Sequence, residues 1–179
     1  MLSRDRTGLI VVDVQGKLAR LVHDSPMLIS NCEKLIAGAK VLELPIILLE
    51  QNPDKLGSTV DELRVHLGNI NPIIKFTFNA CDTAEFIKAV KAMNVDSWLV
   101  CGIEAHICVY QTVKGLVDLG FKVELVSDCV SSRTLSNAQL GINRAKDSGV
   151  EITGLEMCLY QLVRDCRSAE FEQVLSLVR

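Results

Sequence analysis

The chain has 179 residues, of which 49% are hydrophobic and 23% are charged, and this composition excludes an intrinsically disordered protein. Its net charge of −3 offers no basic surface for nucleic acid or for an anionic membrane. No apolar run approaches the roughly 18 residues of a membrane-spanning helix. We therefore expect a protein that binds neither nucleic acid nor a membrane.

Six short apolar runs, bounded by turn residues or by helical patterns, predict six β-strands. The first of them, "TGLIVVDVQ", is rich in β-branched residues and contains an acid near its end. In chain order, the predicted strands lie within residues 7–15, 45–50, 71–79, 97–103, 122–128 and 150–156.

Helical spacing of apolar residues fills the segments between these strands. Ser58 or Thr59 is expected to cap the second helix, and Asp82 with Glu85 forms a potential capping box at the start of the third. The predicted helices cover residues 26–45, 58–68, 82–94, the segment after residue 103 as far as Gly120, 135–149 and much of the chain after residue 156.

Alternating strands and helices predict one α/β domain over residues 1–179. We expect a doubly wound, mostly parallel six-stranded sheet with helices on both faces. Ligands of such sheets bind outside the carboxyl ends of the strands, where the direction of winding reverses. Functional side chains are therefore sought at the ends of the predicted strands.

The cysteines are odd in number, irregularly spaced and without a CxxC pair, which predicts free thiols. Together with the absence of a secretory signal pattern, they predict a cytoplasmic protein. A mean hydropathy of +0.27 indicates more apolar surface than one subunit hides, so we expect a homo-oligomer. The seven cysteines are Cys32, Cys81, Cys101, Cys108, Cys129, Cys158 and Cys166.

Three reactive side chains follow predicted strands. Asp13 ends the first strand, Lys75 ends the third, and Cys108 lies five residues beyond the fourth. Each has an ordinary explanation, since the acid can cap a helix, the lysine can be solvated and the cysteine can pack in a core. Their shared edge of the sheet favours a common site.

A thiol with its ordinary pKa near 8.5 needs a base or a nearby cation to act as a nucleophile at neutral pH. Asp13 can accept the thiol proton of Cys108 and pass it to a leaving group, and Lys75 is expected to keep Asp13 ionised and to favour the thiolate. Backbone amides of residues 104–108 can stabilise an oxyanion. The implied reaction is acyl transfer to cysteine and then to water.

His106 is the alternative base, but it lies two positions from Cys108, and side chains at that spacing on a helix do not face each other. We therefore expect His106 to make a structural polar contact. Cys101 lies within the predicted strand and is expected in the core. In "SSRT", residues 131–134, Ser132 or Thr134 is expected to cap the following helix.

The segments "LIVVDVQ", "KFTFN", "VCGIEAHICVYQTV" and "VSDCVSSRT" resemble the isochorismatase-like cysteine hydrolase superfamily, and most closely its isochorismatase domain-containing subgroup. The resemblance implies a Rossmann-like fold and an Asp–Lys–Cys triad at Asp13, Lys75 and Cys108. It also implies a cis peptide between Ile103 and Glu104, with the amides of Glu104 and Cys108 forming the oxyanion hole. Arg133 is then a fold or subunit contact near the site.

The segment "LLEQNPDKLGST" departs from the nicotinamidases of this superfamily, because it lacks their Asp-x-His metal pair. Glu50 and Asp54 alone would make a poor zinc site, so we expect no metal and no other cofactor. Leu18, Gln51 and Phe78 are expected to line the pocket because of their loop positions. The small-molecule substrate is expected to be an amide, a ureide or a related acyl compound.

Two functions remain open from the sequence. The first is a metal-independent cysteine hydrolase that forms a covalent thioester-type intermediate on Cys108. The second is an oligomeric binding or scaffold protein that retains the hydrolase fold with little turnover, since no substrate-binding residues are recognisable in the sequence.

Overall fold

A computed structural model describes all residues from Met1 to Arg179 and contains one six-stranded sheet in which every strand pair is parallel. The strands lie in the order β3-β2-β1-β4-β5-β6, which confirms the doubly wound α/β fold. Their bounds are β1 Thr7–Val12, β2 Ile46–Gln51, β3 Ile73–Lys75, β4 Ser97–Ile103, β5 Lys122–Ser131 and β6 Glu151–Thr153.

Nine α-helices cover the two faces of the sheet, and no helix is both long and apolar enough to cross a bilayer. Short 3-10 turns occupy Arg4–Arg6 and Ala80–Asp82, and a π-helical turn occupies Ala105–Val109. The helices are α1 Leu18–Leu21, α2 Ser25–Val41, α3 Pro53–Leu56, α4 Asp61–Leu67, α5 Ala84–Ala92, α6 Tyr110–Asp118, α7 Leu135–Asp147, α8 Leu155–Val163 and α9 Phe171–Val178.

Each face of the sheet has its own apolar core, because successive side chains of a strand point to opposite faces. In β1, Leu9 and Val11 pack with α2, α4, α8 and α9, whereas Ile10 and Val12 pack with α5, α6 and α7. All six residues of β1 are buried, as expected for a central strand of a sheet covered on both sides. Burial of β1 therefore fixes the position of the residues that follow it.

Two predicted helix caps are wrong. Helix α4 begins at Asp61, and neither Ser58 nor Thr59 caps it, because Thr59 instead donates both its N–H and its Oγ1–H to the carboxylate of Glu50. Helix α5 begins at Ala84, after Thr83, with no side-chain hydrogen bond at its cap. Asp82 belongs to the 3-10 turn before α5, so it makes no capping box there.

Several predicted strands end early or late. The first ends at Val12, because Asp13 has φ +52° and cannot continue an extended ladder. The fifth continues to Ser131 through an irregularity: Val100 pairs with Leu125, but Gly102 pairs with Val130. This extension brings the "SSRT" segment beside the end of β4.

The reversal in strand order falls between β1 and β4, since β1 leads to β2 and β3 on one side and β4 leads to β5 and β6 on the other. Gly102 lies opposite Val12 with φ +120°, and a Cβ at Gly102 would overlap the Val12 carbonyl oxygen. Only glycine allows the two strands to end this closely. The ends of β1 and β4 therefore form the crevice in which ligands of such sheets bind.

Candidate active site

Asp13 and Lys75 form a buried ion pair at the carboxyl edge of the sheet. The Lys75 Nζ lies 2.7 Å from Asp13 Oδ2, and both side chains are at most 2% exposed. Lys75 ends β3, two strands away from β1, so its long side chain reaches past the end of β2. The same ammonium donates to Gln51 Oε1 at 2.6 Å and to the Thr77 carbonyl at 3.3 Å.

The second oxygen of Asp13 faces the site without a partner. Asp13 Oδ1 is buried and accepts no hydrogen bond within the protein. Burial raises the pKa of Asp13 above its ordinary value, and Lys75 only partly opposes this effect. Asp13 is thus a carboxylate that Lys75 holds in position, with one oxygen available to accept a proton.

Cys108 lies in the π-helical turn after β4 and is almost fully buried. The turn has the hydrogen-bond spacing of a π-helix: the Val109 N–H donates to the carbonyl of Glu104, five residues earlier, at 3.2 Å. Burial and the charge of Asp13 raise the pKa of the Cys108 thiol to about 12, whereas Lys75 acts in the opposite direction. Lys75 does favour the thiolate, as expected, but in the free site desolvation and the charge of Asp13 outweigh its effect on the pKa of Cys108.

The Ile103–Glu104 peptide bond is cis. The Glu104 N–H has no hydrogen-bond acceptor within the protein, whereas the Glu104 carbonyl accepts from the amides of Ile107 and Val109. Its carboxylate accepts hydrogen bonds from N and Nε of Arg133, two residues after β5, at 3.0 and 3.2 Å. Arg133 thus anchors the segment that carries the free amide.

His106 makes its polar contact with Ser132 rather than with Asp13 or Lys75: its Nδ1 lies 2.9 Å from Ser132 Oγ. Thr134 caps α7 through a hydrogen bond from Asn137 N to Thr134 Oγ1, at 3.2 Å. Cys101 is fully buried in the core.

A cavity of about 100 Å³ opens over Cys108 and Asp13. Leu18, Gln51 and Phe78, the side chains expected at the pocket from their loop positions, all lie on its wall. The full lining is Asp13, Leu18, Gln51, Leu56, Phe78, Ile103, Glu104, Ile107 and Cys108.

Two lining residues, Leu56 and Ile107, were missed at the sequence level. Leu56 lies in a segment whose Pro and Gly residues indicate a turn, although the structure forms the one-turn helix α3 there. Ile107 is adjacent to Cys108, and this adjacency is the sequence signal that could have identified it as a lining residue. Larger depressions of about 220 and 250 Å³ surround Arg4 at the amino edge of the sheet and contain no thiol.

A second network holds Gln51 in place. Gln15 donates its Nε2 to the carbonyls of Gln51 and Gly57, and its Oε1 accepts from Gln51 N at 2.6 Å. The side-chain amide of Gln51 donates to the Phe76 carbonyl at 2.9 Å while its oxygen accepts from Lys75. Gln15 therefore positions Gln51, which in turn positions Lys75.

The potential metal ligands Glu50, in β2, and Asp54, in α3, lie in different surroundings. Glu50 is buried and its Oε1 is occupied by Thr59, whereas Asp54 is exposed on α3. No group of three or more His, Cys, Asp or Glu side chains in the protein is arranged to hold a metal ion.

A buried thiol, a carboxylate–lysine pair and a free amide around one cavity at the switch point of a doubly wound sheet describe a candidate hydrolytic site of an α/β enzyme. Residues 7–172 match the isochorismatase domain family. The chain belongs to the isochorismatase family and is an isochorismatase-like hydrolase.

Curated relatives cover almost the whole chain. The chain is 32% identical to isochorismatase domain-containing protein 2 of Danio rerio, over 99% of this chain and 89% of that protein. It is also 32% identical to the secreted isochorismatase effector Isc1 of Phytophthora sojae, over 96% of this chain and 83% of the relative.

Solved structures share the fold throughout. One described as the MAR1 ribonuclease of Caenorhabditis elegans has a TM-score of 0.93 at 31% identity and covers 99% of this chain and 91% of its own. YcaC of Pseudomonas aeruginosa, described with covalent acrylamide, and YcaC of Escherichia coli, described as an octameric hydrolase of unknown specificity, both have TM-scores of 0.92 at 25% identity. Each covers 98% of this chain, and the matches span 90% and 89% of the two YcaC chains.

Proposed function

We propose that this protein is a metal-independent cysteine hydrolase of a small amide, ureide or related acyl compound, with Cys108 as nucleophile and Asp13 and Lys75 completing its triad. The observation that carries the proposal is the unpartnered Asp13 Oδ1, which shares one cavity with Cys108. The description of a YcaC structure with covalent acrylamide supports a reactive group in this fold that takes a small amide.

The first half of the reaction makes a thioester-type bond. Asp13 Oδ1 accepts the thiol proton as Cys108 Sγ attacks the acyl carbon, and the carbonyl oxygen becomes an oxyanion. The amides of Glu104 and Cys108 receive that oxyanion, and the loss of one such donor typically costs about 3 kcal/mol of transition-state stabilisation. Collapse of the tetrahedral intermediate breaks the bond to the leaving group, which departs with the proton held by Asp13.

The second half returns the free enzyme. Asp13 accepts a proton from water as the water oxygen attacks the thioester carbon. The C–S bond then breaks, the acid is released and Asp13 returns the proton to Cys108 Sγ. Since burial raises the pKa of Asp13 above that of an ordinary carboxyl group, the ionised Asp13 is a stronger base than a solvated aspartate.

Lys75 acts as an anchor in this scheme. Its ammonium binds Asp13 Oδ2, which leaves Oδ1 directed to the cavity, and its charge favours the ionised carboxylate. Because all three Lys75 N–H groups have acceptors, the lysine is held in one position.

A panel of small amides, ureides and esters tests the proposal, with release of ammonia or acid as the readout. Cys108→Ala and Asp13→Asn are expected to lower turnover by at least about 100-fold, whereas Cys166→Ala, a change at an exposed thiol, leaves it unchanged. Mass spectrometry of a rapidly quenched reaction is expected to find the acyl group on Cys108.

Turnover that survives Cys108→Ala would contradict the cysteine mechanism. If no compound in the panel is hydrolysed and no adduct forms, the binding or scaffold protein is the better reading of the fold. RNA belongs in the same panel because one similar structure is described as a ribonuclease. We expect no RNA cleavage, since the net charge is −3 and both charged residues that line the cavity are acidic.

We further propose that the protein is a cytoplasmic homo-oligomer. The seven free cysteines, five of them buried, suit a reducing compartment. Exposed apolar side chains on and beside the edge strand β3 support self-association, as does the octameric description of one YcaC structure. These side chains are Ile74, Phe76 and Phe78.

A further inference from the structure

We infer that the substrate of this site is an uncharged acyl compound of about four to six non-hydrogen atoms, polar at one end only, and that carboxylate-bearing and aromatic compounds are poor substrates. The inference rests on the proposed function and specifies the class of molecule that the Cys108 site accepts. Three properties of the cavity carry it: its size, its charge and the distribution of its free polar groups.

Size sets the first limit. A protein cavity of about 150 Å³ is enough to enclose a benzene molecule, and the cavity over Cys108 has about 100 Å³. An aromatic acyl compound, which adds an amide or ester group to a six-membered ring, exceeds this space. Leu56, Ile107 and the half-exposed Phe78 form its walls, so a small aliphatic compound packs between them whereas a ring would extend past them into solvent.

Charge sets the second limit. The charged residues that line the cavity are Asp13 and Glu104; the Glu104 carboxylate is paired with Arg133, so the acid that a substrate carboxylate would meet is Asp13, through its unpaired Oδ1. The neighbouring cations are already bound to these acids. Lys75 uses its three donors on Asp13, Gln51 and Thr77, leaving none for a ligand.

Arg133 offers no better anion site. It does not line the cavity, and its Nε and backbone N–H are both directed to Glu104 Oε2. Its side chain is 59% exposed, so a carboxylate bound there would remain in solvent.

The polar atoms that make no hydrogen bond at all lie at one end of the cavity. They are Asp13 Oδ1 and the Glu104 N–H, at the Cys108 end. At the other end, Gln51 donates one Nε2 hydrogen to Phe76, accepts from Lys75 and is fixed through its backbone by Gln15, which leaves one Nε2 hydrogen for a ligand. Because a buried polar group without a partner costs free energy, a second polar end that this one donor cannot satisfy would bind poorly.

Alkylation by matched reagents tests this inference without requiring turnover. Iodoacetamide and iodoacetate have the same size and differ in charge, and 2-iodo-N-phenylacetamide adds a ring. Peptide mass spectrometry at pH 8 gives the rates at Cys108 and, in the same sample, at the exposed Cys166. We expect the preference for iodoacetamide over each of the other two reagents to be at least about tenfold greater at Cys108 than at Cys166.

Two variants separate charge from size. Leu18→Arg introduces a cation into the cavity wall and should raise the labelling of Cys108 by iodoacetate, relative to its labelling by iodoacetamide, by about tenfold. Leu21→Arg is the matched control: it lies on the same short helix, is 65% exposed and does not line the cavity. Phe78→Ala should admit the phenyl reagent while the preference for iodoacetamide over iodoacetate persists.

The failure of this inference is distinguishable from that of the proposed function. If Cys108 reacts with iodoacetate or with the phenyl reagent as readily as with iodoacetamide, relative to Cys166, the substrate class is wrong while the nucleophile stands. If no reagent labels Cys108 even at pH 10, where a thiol with a pKa of about 12 is partly ionised, while Cys166 reacts, the proposed nucleophile itself is contradicted, and the substrate class with it.

Discussion

The two carboxylate oxygens of Asp13 lie in different surroundings. Oδ2 is fixed by Lys75, and Oδ1 is left buried without a partner beside the thiol. The positive φ of Asp13 turns the chain out of β1 at this point. Its position at a strand end was predictable from the sequence, but the difference between its two oxygens was not, because it depends on Lys75 from another strand.

Replacement of Asp13 by Asn is expected to separate thiol reactivity from catalysis. The negative charge of Asp13 helps to raise the pKa of Cys108, so Asp13→Asn should lower that pKa and speed alkylation by iodoacetamide several-fold at pH 8. Hydrolysis should fall by at least about 100-fold because the base is lost. Timed labelling at Cys108 and an ammonia-release assay measure the two effects.

Lys75→Met is the matched variant with the opposite charge change. Since Lys75 lowers the pKa of Cys108, its removal should slow alkylation at the same pH. In the unmodified protein the thiol has a pKa of about 12, so labelling should keep rising as the pH is raised through 10. A plateau below pH 8, or slower labelling of Asp13→Asn, would contradict this electrostatic account.

At the scale of elements, the π-helical turn Ala105–Val109 is held by close packing of α7. A Cβ added to Gly141 would lie 2.6 Å from the carbonyl carbon and oxygen of Ala105 and 2.7 Å from His106 N, all of them backbone atoms. Contacts this short cannot be relieved by turning a side chain. Because Gly141 has no side chain, α7 packs directly against the backbone of the turn that carries Cys108.

Gly141→Ala is therefore expected to cost about 1–3 kcal/mol in the free energy of unfolding and to lower hydrolysis at least tenfold, by displacing the turn. Urea unfolding and kcat/KM measure the two effects. Gly38→Ala in α2 is the matched control, because the three atoms nearest to its added Cβ all belong to the movable side chain of Leu159. Equal behaviour of the two variants would show that α7 does not position Cys108.

The boundaries of these elements show where local sequence signals are insufficient. Strand β4 was predicted with its observed bounds, since "SWLVCGI" is an apolar run that ends at a sharp turn. The extension of β5 to Ser131 was missed, because it depends on pairing with Ile103 across an irregular register. Thr59 was missed as a partner of Glu50 for the same reason: the bond joins different elements.

At the scale of the whole molecule, winding in two directions from β1 and β4 places the site at the centre of the sheet edge. The short edge strand β3 supplies Lys75 and also exposes Ile74, with Phe76 following it at 71% exposed. One end of the sheet thus combines part of the site with apolar surface.

We expect light scattering to give a mass that is a multiple of the 19.7 kDa chain, because burial of this apolar surface between copies is favourable. The measurement should be made over a range of protein concentrations and in high salt, where a hydrophobic association persists. A mass of one chain at all concentrations would contradict the homo-oligomer.

The sequence by itself determined the sheet, its winding and the residues at its strand ends, because alternating apolar runs and helical patterns are local signals that right-handed crossovers convert into one topology. The tertiary structure alone decided the electrostatics and the shape of the site. The burial that raises the pKa of Cys108 arises only when distant elements meet. The same is true of the cavity whose walls include Leu56 and Ile107.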